Sequence, residues 1–260
     1  MGKKTLKVIK IGGDIINDND ALLVFLKDFS NLKGHKLLVH GGGKSATDLA
    51  QKMGVEVKMI DGRRITDVHT LDIIVMMYAG KINKNIVANL QANQCNAIGF
   101  SGADGNSIIS TKRPTTPVDF GFAGDVTQVN TEVLELLINQ NITPVFCAIT
   151  HDKNGQLLNT NADTIASELA IALAKIYQTE LYFCFEKSGV LRDINDELSV
   201  IESITPDNVQ ELIQNKIISD GMLPKIQNSI NAVNHKVNKV CIGKSEMIFN
   251  PFTHFTSITK

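Results

Sequence analysis

Four short stretches carry residue types and spacings suited to handling anions. Lys10-Ile11-Gly12-Gly13 ends one apolar run, and His40-Gly41-Gly42-Gly43, followed by Lys44-Ser45, ends another. Asn159-Thr160-Asn161-Ala162-Asp163 leads into a long apolar segment, and Ser219-Asp220-Gly221-Met222-Leu223-Pro224-Lys225 opens a further one. Consecutive glycines at a strand-to-helix junction remove the side chains that would cover backbone amides. Those amides, with the positive end of the following helix, make an anion site. A tight turn needs only one or two glycines, so three in succession favour anion binding. Lys10 falls at the carboxyl edge of its strand, where open α/β sheets bind ligands, and a compact ammonium beside free amides suits phosphate. Two such strand ends imply two anionic groups brought close together. Asn161 or Asp163 could serve as a helix cap, but Asn159, Asn161 and Asp163 at alternating positions exceed what capping needs. Lys225 lies in the first turn of a helix, where the macrodipole favours an acid. It is therefore either freely exposed or held against a strong negative charge.

Other motifs overlap these residues. Gly43-Lys44-Ser45 imitates the end of a Walker A loop, but that motif needs Gly where Leu38 stands. Residues 41–46 fit G-x-G-x-x-A, with Asp61 downstream at about the dinucleotide-site distance, so a dinucleotide-dependent oxidoreductase remains a rival. An esterase fails because Gly99-Phe100-Ser101-Gly102-Ala103 lacks the last Gly of a nucleophile elbow.

The elements that must position these residues alternate strand and helix, the pattern of a mainly parallel sheet covered by helices. Strands are expected at 5–11, 36–39, 97–100, 143–149 and 180–185, with 240–242 closing the sheet. Helices are expected at 20–32, capped by Asp20 with Leu22, Phe25, Leu26 and Phe29 as its apolar face, and at 131–139, 161–176, 206–215 and 223–235. Asp67 should cap a helix that Gly80 interrupts. Residues 55–60 alternate like a hairpin arm, and Asp152-Lys153-Asn154-Gly155 reads as a hairpin turn. Between 108 and 129 short strands and turns are broken by Pro114 and Pro117, and 113–124 is expected to form a mobile cover.

The 260 residues suffice for one large domain or two lobes on a shared sheet, with a soft boundary near 149–155. A net charge of -1 without a long basic block argues against nucleic acid or an anionic membrane as partner. The amino-terminal stretch runs straight into a strand containing Lys7 and Lys10, unlike a signal peptide or a membrane span. Cys95, Cys147, Cys184 and Cys241 form no C-x-x-C pair, which fits a reducing cytoplasm.

As a set, these residues resemble the amino-acid kinase family, and within it the branch acting on acylglutamate. The matches are Lys10 to Gly13, His40 to Lys44, Asp61-Gly62-Arg63-Arg64-Ile65-Thr66, Ala79-Gly80-Lys81-Ile82-Asn83-Lys84, Asn159 to Asp163 and Gly221 to Lys225, in the family's order across nearly the whole chain. The dinucleotide motif explains only one of them.

The resemblance implies a three-layer αβα sandwich with a central, mainly parallel open sheet. Residues 1–150 would form an acyl-amino-acid and dimerisation lobe, and 151–260 an ATP lobe on the same sheet. It implies MgATP-dependent phosphorylation of the side-chain carboxylate of N-acetyl-L-glutamate, an arginine-biosynthetic step, in a cytoplasmic homodimer. By resemblance Lys10 and Lys225 stabilise the transferring phosphoryl group and Asp163 orients them. Gly12, Gly13, Glu186 and Gly189 serve ATP. Gly42, Gly43, Arg64, Asn159 and Asn161 serve the substrate. No protein metal ligand is implied: Mg2+ would arrive through water or ATP. Phe185-Glu186-Lys187-Ser188-Gly189 departs from the Ser-Asp or Thr-Asp usual before that glycine. N-succinyl-L-glutamate would suit every catalytic motif equally, and a catalytically silent regulatory subunit remains a further alternative. An N-terminal helical extension seen in arginine-inhibited relatives is not part of this sequence, so neither arginine inhibition nor a hexamer is expected.

Overall fold

Fully buried Leu6, Val8, Ile9 and Ile11 make Thr5–Ile11 a strand enclosed on both faces, as the interior of a parallel sheet requires. The computed structural model describes residues 2–60, 62–218, 222–250 and 252–260. The strands of its main sheet are β1 (Thr5–Ile11), β2 (His35–His40), β3 (Ala97–Phe100), β4 (Thr143–Phe146), β5 (Gln178–Cys184), β6 (Ser203–Ile204), β7 (Lys239–Gly243) and β8 (Thr256–Ile258). Their spatial order is β6-β8-β7-β5-β1-β2-β4-β3, and every neighbouring pair is parallel except β7 with β8. The expected mainly parallel open sheet is therefore present, with helices on its faces.

The helices are α1 (Gly13–Asn17), α2 (Asn19–Asn31), α3 (Gly43–Lys52), α4 (Val68–Val75), α5 (Asn83–Ala92), α6 (Glu132–Asn139), α7 (Ala162–Leu173), α8 (Val209–Gln214) and α9 (Met222–Asn234). Helix α7 buries Ile165, Ala166, Leu169, Ala170 and Leu173 and packs across β1, β2 and β5 and against α9. That brings the start of α7 to the carboxyl ends of β1 and β5. A smaller sheet orders Leu157–Asn159, Ile149–His151, Ile108–Lys112 and Gly124–Val129, and a hairpin joins Met59–Ile60 to Arg63–Arg64.

Several elements differ from their sequence expectation. Asp18, not Asp20, caps α2, accepting from the amides of Asp20 and Ala21. The expected apolar face holds: Phe25, Leu26 and Phe29 are buried and Leu22 packs on the core. Asp67 does cap α4, but Gly80 breaks nothing. Met76–Ile82 form a π-helical turn that carries α4 into α5. The strand expected at 143–149 divides at Cys147 and Ala148, so that β4 and Ile149–His151 enter different sheets. Of 55–60, only Met59–Ile60 is strand. The sheet does not close at β7, because β8 pairs with it antiparallel and β6 lies beyond. Asp61 and the segment 219–221 lie outside the described residues.

Candidate active site

Parallel register aligns the carboxyl ends of the central strands. Lys10 pairs with Val39 on one side and Phe183 on the other, and Ile11 pairs with His40 and Cys184. Gly12-Gly13, the 41–43 glycines and the segment beginning at Phe185 therefore leave the sheet at one level.

At that level one carboxylate holds two lysines. Asp163, second residue of α7, meets Lys10 Nζ through Oδ1 at 2.8 Å and Lys225 Nζ through Oδ2 at 2.6 Å, with all three side chains less than one-fifth exposed. The sequence alternative for Lys225 is thereby resolved: it is held against a negative charge. Burial alone would push the Asp163 carboxyl up, but the ammoniums of Lys10 and Lys225 outweigh it and hold it far below the ordinary carboxylate range. Burial pulls Lys225 below the ordinary lysine value, with Asp163 opposing and Lys10 adding to the fall. Lys225 also stands 4.6 Å from the centroid of the Phe183 ring, a cation–π contact absent from the sequence reading.

The glycine loop rests on a buried histidine. Nδ1 of His40 donates to the Gly41 carbonyl at 2.8 Å, while Nε2 accepts from Asn83 Nδ2 at 3.0 Å; Asn83 also donates to the Val145 carbonyl at 2.9 Å. Burial holds His40 down at about 4, so the ring is neutral near pH 7 and both nitrogens are committed. This group orients the loop. In the unfolded chain it titrates near 6.5. Unfolding below that pH takes up a proton that the folded protein excludes, so stability present above pH 6.5 is lost as pH falls toward 4. The expected loss from this group is about 3 kcal/mol across that window, measured by urea unfolding at pH 7 and 4.5, and His40→Gln should remove that share of the difference.

Gly42 has φ +153°, and a Cβ there would collide with Ile82 and lie 3.0 Å from the Tyr78 ring. Gly42→Ala is expected to cost about 2 kcal/mol in urea unfolding and to displace the loop. Asn17 joins this loop to the other glycine pair, donating to the Gly13 carbonyl at 2.5 Å and accepting from Ser45 Oγ at 3.1 Å.

A cavity of about 200 Å³ opens beside the loop, and all the residues expected to serve the substrate line it: Gly42, Gly43, Arg64, Asn159 and Asn161. Arg64 is buried and donates to the Gly43 carbonyl at 3.0 Å and to Thr47 Oγ1 at 2.8 Å. Asn159 donates to Thr66 Oγ1 at 3.0 Å. Asn161 caps α7, accepting from the amides of Asp163 and Thr164. Tyr78, Arg113 and Phe120 also line the cavity and were not singled out from sequence. Phe120 and Phe122 are stitched to Thr66 by backbone hydrogen bonds of 3.0 and 2.7 Å, and Asn159 donates to the Phe122 carbonyl. Within the expected cover at 113–124, these bonds anchor Phe120 and Phe122.

A second hollow of about 850 Å³ is lined by Phe185, Glu186, Gly189, Ile217 and Met222 among others. Glu186 and Gly189 thus share a wall, whereas Lys10, Gly12 and Gly13 lie outside it. Glu197 secures this rim: it accepts from Ser188 at 2.9 Å and pairs with Lys187 at 3.2 Å and Lys244 at 3.4 Å, contacts that hold its carboxyl down at about 2. Ala162, beside Asp163, lines the first cavity, and Met222, three residues before Lys225, lines the second. Among the described residues no cluster of three or more His, Cys, Asp or Glu could hold a metal ion, and both Asp163 oxygens face lysines.

The model of the amino acid kinase family matches residues 5–244. The chain belongs to that family. It is 53% identical over 244 residues to the acetylglutamate kinase of Cytophaga hutchinsonii, covering 94% of this chain and 92% of that one. It is 53% identical over 246 residues to the acetylglutamate kinase of Phocaeicola vulgatus, covering 95% and 96%. A crystal structure from Streptococcus mutans superposes with a TM-score of 0.78 at 28% identity, covering 98% of both chains. An amino acid kinase match across 5–244 takes in both glycine loops, Asp163 and Lys225, where the dinucleotide motif covers only residues 41–46. Asn83, which sequence reasoning passed over, lies within the Ala79 to Lys84 match and supports His40; that match was the signal that could have found it.

Proposed function

We propose that this amino acid kinase transfers the terminal phosphoryl group of MgATP to the side-chain carboxylate of N-acetyl-L-glutamate, forming the acyl phosphate on the route to arginine. The observation that carries this reading is Asp163 holding Lys10 and Lys225 together at the mouth of two glycine-rich strand ends. A glutamate side chain titrates near ~4.3, so the nucleophile is already ionised at neutral pH and needs no general base. The obstacle is repulsion between two anions, and lysines with free amides are the groups that offset it. His40, neutral and bonded through both nitrogens, suits the orienting role and not proton transfer.

In this reading Lys10 and Lys225 stabilise charge on the phosphoryl group and Asp163 orients them. Gly12 and Gly13 offer amides to the ATP phosphates, and Glu186 and Gly189 border the nucleotide. Gly42 and Gly43 face the substrate carboxylate, while Arg64, Asn159 and Asn161 hold the acylglutamate. The 850 Å³ hollow has the size of a nucleotide-binding cleft. Magnesium arriving with the ATP phosphates would supply charge neutralisation there, while Lys10 and Lys225 supply the protein's own share of positive charge. Residues 1–150 carry most of the acyl-amino-acid site and the contact of a homodimer, and 151–260 most of the nucleotide site, with Asn159 and Asn161 reaching into the first and Gly12 and Gly13 into the second. Four free, buried cysteines suit a reducing cytoplasm. No helix among the described residues is long and apolar enough to cross a membrane.

ADP release should be measured with N-acetyl-L-glutamate, N-succinyl-L-glutamate, glutamate and aspartate as acceptors. The expected result is release dependent on N-acetyl-L-glutamate; a preference for any other acceptor would contradict the proposal.

A further inference from the structure

Tyr78 is 6% exposed, yet it belongs to the wall of the substrate cavity. It comes from the π-helical turn Met76–Ile82, and its ring backs onto Gly42. Its hydroxyl lies close to the glycine loop and to Arg64: a Cβ built on Gly43 would stand 3.9 Å from Tyr78 Oη and 4.0 Å from Arg64 Nη2. Tyr78 Oη and the Arg64 guanidinium thus lie side by side next to the first residue of α3, with Arg64 Nη2 already donating to Gly43 and Thr47. Burial pushes the phenol above its ordinary value, against a smaller opposing effect of Arg64, so it remains a donor at neutral pH.

We propose that Tyr78 is a substrate-binding residue whose hydroxyl shares with Arg64 the α-carboxylate of the acyl amino acid. The assignment rests on the function proposed above. N-acetyl-L-glutamate brings two carboxylates. The reacting one must meet the phosphoryl group at Lys10 and Lys225, which Asp163 gathers at the head of α7. Arg64, on the strand Arg63–Arg64, and Tyr78, on the π turn, both line the cavity and adjoin Gly43, which sets a charged and a neutral donor side by side for the other carboxylate. The amide side chains of Asn159 and Asn161 suit the acyl amide. A guanidinium paired with a neutral hydroxyl binds an anion without adding a second charge that would have to be neutralised in the empty site.

The test compares Tyr78→Phe with the unaltered protein on N-acetyl-L-glutamate and on its α-carboxamide analogue, which keeps the reacting carboxylate. Phenylalanine retains the ring against Gly42 and removes only the hydroxyl. The expected result is a rise of about tenfold to a hundredfold in KM for N-acetyl-L-glutamate, the effect of one hydrogen bond to a charged group. KM for MgATP, kcat and melting temperature should be unchanged, and the two proteins should handle the analogue alike. An unchanged KM for N-acetyl-L-glutamate would overturn the proposal. An equal rise for both substrates would also overturn it, assigning the hydroxyl to packing or to another part of the substrate. Unaltered protein that neither binds nor phosphorylates N-acetyl-L-glutamate would instead remove the underlying function, and this assignment with it.

Discussion

Replacing Lys225 with alanine is expected to lower kcat about a thousandfold, with KM for N-acetyl-L-glutamate changed by no more than about threefold. Lys225 does not line the substrate cavity, so its loss leaves the binding groups in place. What disappears is a positive charge, less than one-fifth exposed, fixed by Asp163 at 2.6 Å and by the Phe183 ring before any substrate arrives. A pre-oriented charge in a water-poor site acts on the developing phosphoryl charge without reorganising, and for that reason its removal shows in kcat. Lys225→Arg should rescue little, because a planar guanidinium cannot occupy the point between one carboxylate oxygen and an aromatic face. Steady-state kinetics of both variants against both substrates would check this; a KM-dominated effect would move Lys225 out of the transition state.

Asp163→Asn is expected to lower kcat by about a hundredfold or more and to cost about 3 kcal/mol of stability. The variant keeps the shape of the side chain but leaves two ammoniums facing each other without the carboxylate that both approach within 2.8 Å. In the native protein Asp163 opposes the downward pull of burial and of Lys10 on Lys225. Without it both remaining influences act in the same direction, and Lys225 loses its proton at a lower pH than in the native protein. Activity of the variant should therefore recover partly as pH is lowered, the opposite of a lost general base. Urea unfolding and a pH–rate profile from 6 to 9 would test this, and a profile parallel to that of the native enzyme would contradict it.

Much of the architecture was legible because local and global preferences agree. Thr5–Ile11 was bounded correctly at both ends since its buried residues and its terminal glycines carry the same message. The Asp152 to Gly155 turn was equally plain, and it joins Ile149–His151 to Leu157–Asn159. Errors arose where packing overrides propensity. Gly80 looked like a helix breaker, but Tyr78 and Ile82 fold against Gly42 and hold the turn in π geometry. Thr256–Ile258 is three residues long, too short to show periodicity, and its strand character comes from pairing with β7. At α2 the expected cap was Asp20, and the backbone instead turns helical one residue after Asp18, whose carboxylate takes the cap.

The site was half legible. Lys10, Asp163 and Lys225 could be named singly from the oddity of each position, and the sheet register together with the packing of α7 on α9 is what joins residues 153 and 62 positions apart. Tyr78 carried no such oddity: in an apolar helix it reads as core, and most of it is core. Its hydroxyl gains meaning only once Gly43 and Arg64 are placed beside it.

The most direct measurement traps the product. Purified protein would be incubated with MgATP, N-acetyl-L-glutamate and hydroxylamine, which converts an acyl phosphate to a coloured hydroxamate, alongside Lys225→Ala under the same conditions. The expected result is hydroxamate from the native protein that requires both substrates and falls about a thousandfold in the variant. ADP release without hydroxamate, or equal hydroxamate from both proteins, would contradict carboxyl phosphorylation at the Lys10–Asp163–Lys225 centre.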